Sequence, residues 1–130
     1  MKDFVVYHNP DAMGYPANQH PSLTVLTNKR VSADVIGDRV WLLTGEGKPR
    51  KYYLCAWFFI DQVESGEGAG FVTCLEGTNG NKFDPMIPIE NEEWFRDFRK
   101  DQGNFAFGFQ LISSRETVER LEKLANSQKV

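Results

Sequence analysis

The chain has 130 residues, a length that suits one domain, and its 41% hydrophobic and 25% charged residues are the composition of an ordinary globular protein. Its net charge of −3 argues against a protein that coats duplex DNA through phosphate contacts, because such proteins carry a strong basic excess. Ten Phe, three Trp and four Tyr residues supply large apolar surfaces, either for a core or for stacking.

The first third of the chain predicts three strands and one long loop. β-Branched and aromatic residues indicate strands at Asp3–Tyr7, Leu23–Thr27 and Arg39–Thr44, the last after a turn at Gly37-Asp38. Residues His8–Pro21 contain three prolines, a glycine and two asparagines, which predicts an ordered loop without regular structure. Loops longer than about 12 residues are uncommon in compact domains and are often functional.

The middle of the chain predicts two more strands. In the run Lys51–Val63, almost all of the first ten residues after Lys51 are apolar, and the run lacks Gly and Pro. This pattern is typical of a strand covered on both faces. A glycine-rich turn leads to a further strand at Ala69–Gly77. Residues Thr78–Glu90 then predict a loop, with a turn signal at Asn79-Gly80.

Two helices are predicted near the C-terminus. For a helix at Glu92–Lys100, Asn91 suits the N-cap and Gly103 suits the stop. Its apolar face is formed by Trp94, Phe95 and Phe98.

A strand at Phe105–Ile112 follows, and a last helix begins at Ser113 or Ser114, where Ser113 and Glu116 have the spacing of a capping box. Val118, Leu121, Leu124 and Ala125 form the apolar face of this helix.

This order of elements predicts an α+β fold. We expect a strongly curved, mostly antiparallel sheet or a small β-barrel, with the two helices at its periphery, because the alternating strands and helices of a doubly wound sheet are missing. Residues 1–126 form one domain in this interpretation, and residues 127–130 are a frayed tail.

The segment TGEGKPR, Thr44–Arg50, contains the Gly-Lys pair of a phosphate-binding loop but lacks the other residues that such a loop requires. Such a loop needs a glycine five positions before Gly47, where the chain has Leu42, and a Ser or Thr after Lys48, where it has Pro49. A strand follows instead of a helix, so no helix N-terminus would face a phosphate. The segment is better explained as the tip of a β-hairpin.

The sequence shows no set of catalytic residues and predicts neither a metal nor a cofactor. The possible metal ligands, His8, His20, Cys55 and Cys74, lack the paired spacing of known sites. Both cysteines lie inside predicted strands, which favours inert core thiols in a reduced, cytosolic protein. No transmembrane run or secretory leader is evident, so we expect no membrane partner.

The loop after the first strand is a candidate ligand site. It combines stacking faces with hydrogen-bonding groups, and unpaired bases are held in this way; the groups are Tyr7, His8, Asn9, Tyr15 and His20. The alternative is a structural loop, in which the tyrosines cover one end of a barrel and the polar side chains satisfy local backbone groups.

The segment Gly37–Val63, GDRVWLLTGEGKPRKYYLCAWFFIDQV, resembles the core of PUA-like domains, the superfamily of EVE, ASCH, YTH and SRA modules. In those domains a GD-x-V step, matched here by Gly37-Asp38-Arg39-Val40, opens a strand that runs into a polar hairpin. The resemblance implies a small β-barrel with a pocket for a nucleobase, often a modified one, in bacterial DNA-modification and defence systems. Under this resemblance Trp41 and Trp57 are plausible pocket aromatics, and the alternative is that either one belongs to the core.

Our leading hypothesis is a non-catalytic module that binds nucleic acid, in a pocket between the 7–21 loop and the 39–57 hairpin. The only basic stretch of the chain, Lys29–Tyr52, supports it with six basic and three acidic residues. We expect Lys48, Arg50 and Lys51 to contact phosphate. The alternative is a protein-interaction or structural subunit, dimeric and without a nucleic-acid ligand.

Overall fold

The computed structural model describes residues 1–10, 16, 23–65, 72–106 and 108–127. Within these ranges the regular elements are eight strands and two α-helices. The strands are β1 (Asp3–His8), β2 (Leu23–Thr27), β3 (Arg39–Glu46), β4 (Lys51–Phe59), β5 (Gln62–Ser65), β6 (Thr73–Gly77), β7 (Gly80–Pro88) and β8 (Phe109–Leu111). The helices are α1 (Phe95–Asp101) and α2 (Arg115–Asn126), and short 3-10 turns occupy Ala33–Val35 and Gly103–Phe105.

The strands form two sheets. The larger sheet has the order β7-β4-β3-β1-β8, and the smaller one has the order β2-β6-β5. β1 and β3 pair in parallel, and the other pairs of neighbouring strands are antiparallel. The expected α+β fold, with a mostly antiparallel sheet and two helices near the C-terminus, is therefore confirmed.

The larger sheet is buried on both faces, which explains the nearly continuous apolar runs of its central strands. In β3, Val40 and Leu42 face a core shared with the smaller sheet, whereas Trp41 and Leu43 face a core shared with the helices. The helix-side core also takes Phe95 and Phe98 from α1, with Val118, Leu121 and Ala125 from α2. Both helices therefore dock on the same face of the larger sheet.

Two predictions for the middle of the chain, one of a strand and one of a loop, were wrong. The run Lys51–Val63 is two strands, because the chain turns at Ile60-Asp61 and enters the smaller sheet as β5. The predicted loop Thr78–Glu90 contains the nine-residue strand β7. Its prolines are tolerated because β7 pairs only with β4 at the edge of the sheet, and because its pairing is interrupted around Pro85, between Lys82 and Ile87.

The helix boundaries also differ from the predictions. α1 begins at Phe95 after a turn, and its N-cap residue is Trp94, not Asn91. The N-cap of α2 is Ser114, whose side chain accepts a hydrogen bond from the Thr117 amide, so the capping box at Ser113 is not used. The predicted strand Phe105–Ile112 is reduced to three residues, because the 3-10 turn extends to Phe105 and Gly108 adopts a positive φ of 78°.

Candidate nucleic-acid interface

The parallel pairing of β1 and β3 places the end of β1, where the predicted loop begins, beside the predicted hairpin. In the register of the two strands His8 is opposite Thr44, and the Thr44 hydroxyl donates a hydrogen bond of 2.7 Å to the His8 carbonyl. Parallel strands end at the same edge of a sheet, so the chain that leaves β1 and the β3–β4 hairpin tip start side by side. We call this edge the loop end of the sheet.

Tyr7 and Arg50 meet at the loop end. The Arg50 Nη1 donates a hydrogen bond of 3.2 Å to the Tyr7 hydroxyl. Gly45 makes the contact possible, because a Cβ atom at this position would overlap the hydroxyl and would lie 2.7 Å from the Arg50 Cδ. Gly45 therefore leaves the space beside Tyr7 that the Arg50 side chain occupies.

The half-buried Tyr7 ring is supported by other aromatic rings. It stacks on Phe105 with a centroid distance of 5.8 Å and an interplanar angle of 11°, and it lies 6.0 Å from the Tyr52 ring. Tyr52 in turn contacts Phe95 of α1 at 5.2 Å. Because such contacts fix ring orientation, Tyr7 has a defined position before any ligand arrives.

Helix α1 places a second guanidinium beside these rings. The Arg99 Cζ lies 4.9 Å from the centroid of the Tyr52 ring, a cation–π distance. Its Nε is buried and has no hydrogen-bond acceptor within the described structure. One turn later the side chain of Gln102 is 6% exposed, and its Oε1 likewise has no donor there.

The Tyr7 phenol is neutral at physiological pH. Burial raises its pKa above the ordinary value, and the positive charges of Arg50 and Arg99 oppose this increase without cancelling it. A neutral phenol can accept the hydrogen bond from Arg50 and donate its own proton to an oxygen atom. The opposing effects also show that both guanidinium groups act electrostatically on the same hydroxyl.

Trp41 and Trp57 lie away from the loop end. They are directly opposite each other on β3 and β4, with ring centroids 6.1 Å apart. Trp41 is 1% exposed, and its Nε1 donates a 2.9 Å hydrogen bond to Asp3. Since Trp41 precedes Gly45 by four residues, it is about 13 Å away along the strand. Tyr7 is opposite Leu43 on the same face of the sheet, so Trp41 is two residues away from the position of Tyr7 and is nearer to it than to the hairpin tip.

A buried ion pair accounts for the surroundings of the two tryptophans. The Arg39 Nε lies 2.6 Å from the Asp3 carboxylate, and its Nη1 lies 3.4 Å from Glu122 of α2. The Arg39 guanidinium also lies over Trp41 at 4.8 Å and over Trp57 at 5.7 Å. These contacts connect β1, β3, β4 and α2, so Trp41 has a structural role here.

The remaining predicted site residues have varied positions. His8 is 8% exposed and Asn9 is partly buried, both at the loop end. Lys48 and Lys51 are exposed on the hairpin beside Arg50. Tyr15 lies outside the described residues.

Three residues of this site were missed in the sequence analysis: Tyr52, Arg99 and Gln102. Gln102 offered a signal, because it follows Phe95 and Phe98 at the spacing of the buried stripe of α1, where a polar side chain needs an explanation. Arg99 offered no such signal, because cations are common near a helix C-terminus, where they interact favourably with the helix dipole.

The thiols are poor nucleophiles. Burial raises the pKa of Cys55 far above its usual range, and its Sγ lies 3.4 Å from the Met86 Sδ. Burial and Glu76 raise the pKa of Cys74 to about 11. Both cysteines are free, and the described residues contain no cluster of three His, Cys, Asp or Glu side chains that could hold a metal ion.

A groove of about 540 Å³ lies between α1 and α2, apart from the loop end. Trp94 and Leu124 line it, with Glu92 and Asp97 on the α1 side and Arg120 and Lys123 on the α2 side. The acidic and basic residues of the groove together do not favour the binding of a polyanion. In the part of the chain that the structure describes, no helix is long and apolar enough to cross a membrane.

No protein-family model matches the sequence, and no curated protein is significantly similar to it. Among solved structures, the fold is similar to that of the human THYN1 protein, which was crystallised in complex with DNA containing 5-methylcytosine. The two chains are 8% identical, with a TM-score of 0.56 over 100% of this chain and 99% of the other. At this identity the likeness shows the fold.

Proposed function

We propose that this protein is a non-catalytic module that binds nucleic acid at the loop end of the larger sheet. The observation that carries the proposal is the Tyr7–Arg50 contact, in which a half-buried aromatic ring and an exposed cation from two different segments are held together. Nucleic acids are recognised by this combination, because bases stack on aromatic rings and phosphates attract cations.

In this proposal Tyr7 provides the surface against which an unpaired or flipped base packs. One side of its ring is already occupied by Phe105, and the Tyr52 ring lies tilted beside it, so little ordering is left for the ligand to impose. Stacking of a base on an aromatic ring contributes about 1–3 kcal/mol. His8, Asn9 and Tyr15, which follow in the chain, supply the polar groups that read the base edge.

The hairpin tip contacts the backbone of the bound strand. Lys48, Arg50 and Lys51 are exposed and adjacent, whereas the chain as a whole carries a net charge of −3. A local basic patch on an acidic protein favours one short binding site over indiscriminate coating of a duplex. The fold shared with THYN1, whose structure contains DNA with 5-methylcytosine, supports this function and makes a modified base the first ligand to test.

The proposal is tested by fluorescence anisotropy with short single-stranded and duplex oligonucleotides that contain either cytosine or 5-methylcytosine, at low salt. We expect binding by the wild type and a loss of about tenfold or more for Tyr7→Leu and for Arg50→Gln. Arg115→Gln is the matched control, because Arg115 is an exposed cation on α2 that pairs only with Glu119, at 3.6 Å, among the described residues. Absence of binding to every oligonucleotide, together with a concentration-dependent dimer in sedimentation, would support a protein-interaction subunit instead.

A further inference from the structure

Arg99 differs from the other inward-facing arginine of the chain in how its charge is balanced. Arg39 is buried, and its guanidinium is paired with Asp3 and Glu122 as well as stacked on aromatic rings. Arg99 is half-buried and stacked on Tyr52, but no carboxylate pairs with it among the described residues. Its buried Nε also has no acceptor there.

A partly desolvated cation without a partner is unfavourable. Removing a charge from water is unfavourable unless an opposite charge or hydrogen bonds compensate for it. The C-terminal end of α1 offsets only a small part of this cost, although the carbonyl end of a helix favours cations. An anion from outside the protein would supply the missing compensation.

The position of Arg99 indicates where that anion would lie. The Arg50 Nη1 lies 3.2 Å from the Tyr7 hydroxyl, and the Arg99 Cζ lies 4.9 Å from the centroid of the Tyr52 ring, which is 6.0 Å from the centroid of the Tyr7 ring. In agreement with this geometry, both cations lower the pKa of the Tyr7 hydroxyl. That hydroxyl is a neutral phenol with a proton to donate. An oxyanion at this place would meet two cations and one hydroxyl donor from three separate elements, β1, the hairpin and α1.

We infer that Arg99 is a phosphate-binding residue, and that the group formed by Tyr7, Arg50 and Arg99 holds one phosphodiester of the bound strand. The inference rests on the proposed function. It assigns to α1 a phosphate contact beyond those of the exposed hairpin lysines. Arginine suits this role because its planar fork matches two phosphate oxygens. The partly buried position makes the contact less sensitive to salt than a contact from Lys48 or Lys51.

The test uses a series of single-stranded oligonucleotides, each with one neutral methylphosphonate in place of one phosphodiester. Wild-type protein should lose about tenfold in affinity at one linkage. Arg99→Gln should bind the unmodified oligonucleotide about tenfold more weakly, and it should lose clearly less than the wild type at that same linkage, because one of the two cation contacts is already absent. Lys100→Gln, at the exposed neighbouring position of α1, should keep the wild-type profile.

Thermal unfolding of each variant establishes that it is folded, and Arg99→Lys adds a second comparison. Lysine preserves the charge but not the planar guanidinium that can donate to two phosphate oxygens, so we expect an intermediate affinity. The inference would be overturned if Arg99→Gln bound the unmodified oligonucleotide with wild-type affinity. It would also be overturned if the variant lost as much affinity as the wild type at every methylphosphonate linkage. Either result would leave the proposed function intact. If wild-type protein binds no oligonucleotide at all, the proposed function and the inference fall together.

Discussion

The Arg50 guanidinium donates a hydrogen bond to the Tyr7 hydroxyl at 3.2 Å, although the two residues are 43 positions apart in the chain. The parallel pairing of β1 with β3 produces this contact, since it places the end of one strand beside the hairpin that follows the other. The contact between Tyr7 and the hairpin depends on that arrangement of strands.

Gly45 should be required for binding rather than for folding. In Gly45→Ala the new methyl group overlaps the Tyr7 hydroxyl and crowds the Arg50 side chain, so both must move. We expect oligonucleotide affinity to fall by about tenfold, measured by anisotropy. Gly37→Ala is the control, because its φ of 95° strains the backbone while no atom lies within 4 Å of the new Cβ. It should lower the free energy of unfolding by roughly 1 kcal/mol and preserve binding; equal binding losses in the two variants would contradict the role of Gly45.

The ion pair between Asp3 and Arg39 should be important for stability. Asp3→Asn removes the buried carboxylate that accepts from both Arg39 and Trp41, and it leaves the Arg39 charge poorly compensated. We expect the free energy of unfolding in urea to decrease by about 3–5 kcal/mol. Glu119→Gln, which disrupts an exposed pair with Arg115 on α2, should change it by less than about 0.5 kcal/mol. Similar small effects of both substitutions would refute a structural role for the Asp3–Arg39 pair.

Gln102 should be replaceable by an apolar residue without loss of stability. Its side chain is almost fully buried, and its Oε1 has no donor in the described structure, so it bears an uncompensated desolvation cost of about 1–3 kcal/mol. Gln102→Met, which has a similar shape, should raise the free energy of unfolding by about 1 kcal/mol. A clear decrease in the free energy of unfolding, measured in urea, would mean that the Gln102 amide makes a stabilising hydrogen bond.

The Cys74 thiol should make stability fall at alkaline pH. Its pKa is about 11 in the folded protein and about 9 in the unfolded chain, because burial and Glu76 disfavour the thiolate. Between these two values only the unfolded chain loses the proton, so unfolding becomes more favourable as pH rises from 9 to 11. Cys74→Ala should weaken this decrease, measured by urea unfolding at a series of pH values. An identical pH dependence in the variant would exclude the contribution of Cys74.

Most of the fold could be predicted from local patterns, and the errors have physical causes. Runs such as Phe4–Tyr7 and Leu23–Thr27 carry their strand preference in their own residues, and the stripe Val118–Leu121–Ala125 indicates an amphipathic helix directly. β7 was missed because Pro85 and Pro88 are strong breaker signals in a local window. Their tolerance depends on the strand being at the edge of the sheet, a property that only the assembled sheet defines.

The candidate site was predicted in part for a similar reason. Tyr7 and the hairpin cations were identified from composition, and the parallel register of β1 and β3 brings them together. The proximity of Arg99 depends on where α1 docks on the sheet, which no local pattern encodes. Trp41 and Trp57 were named as pocket aromatics through the family resemblance, and a single sequence could not decide between a pocket and the core: Trp41 belongs to the helix-side core, and Trp57 packs against it.

The most direct test of the central claim is a titration of isotopically labelled protein with a short single-stranded DNA containing 5-methylcytosine, followed by amide and arginine side-chain NMR signals. We expect the largest chemical-shift changes at Tyr7, Gly45, Arg50 and Arg99, with the groove between α1 and α2 unaffected. Changes confined to that groove, around Trp94 and Arg120, or no changes at all at low salt, would contradict a nucleic-acid site at the loop end of the sheet.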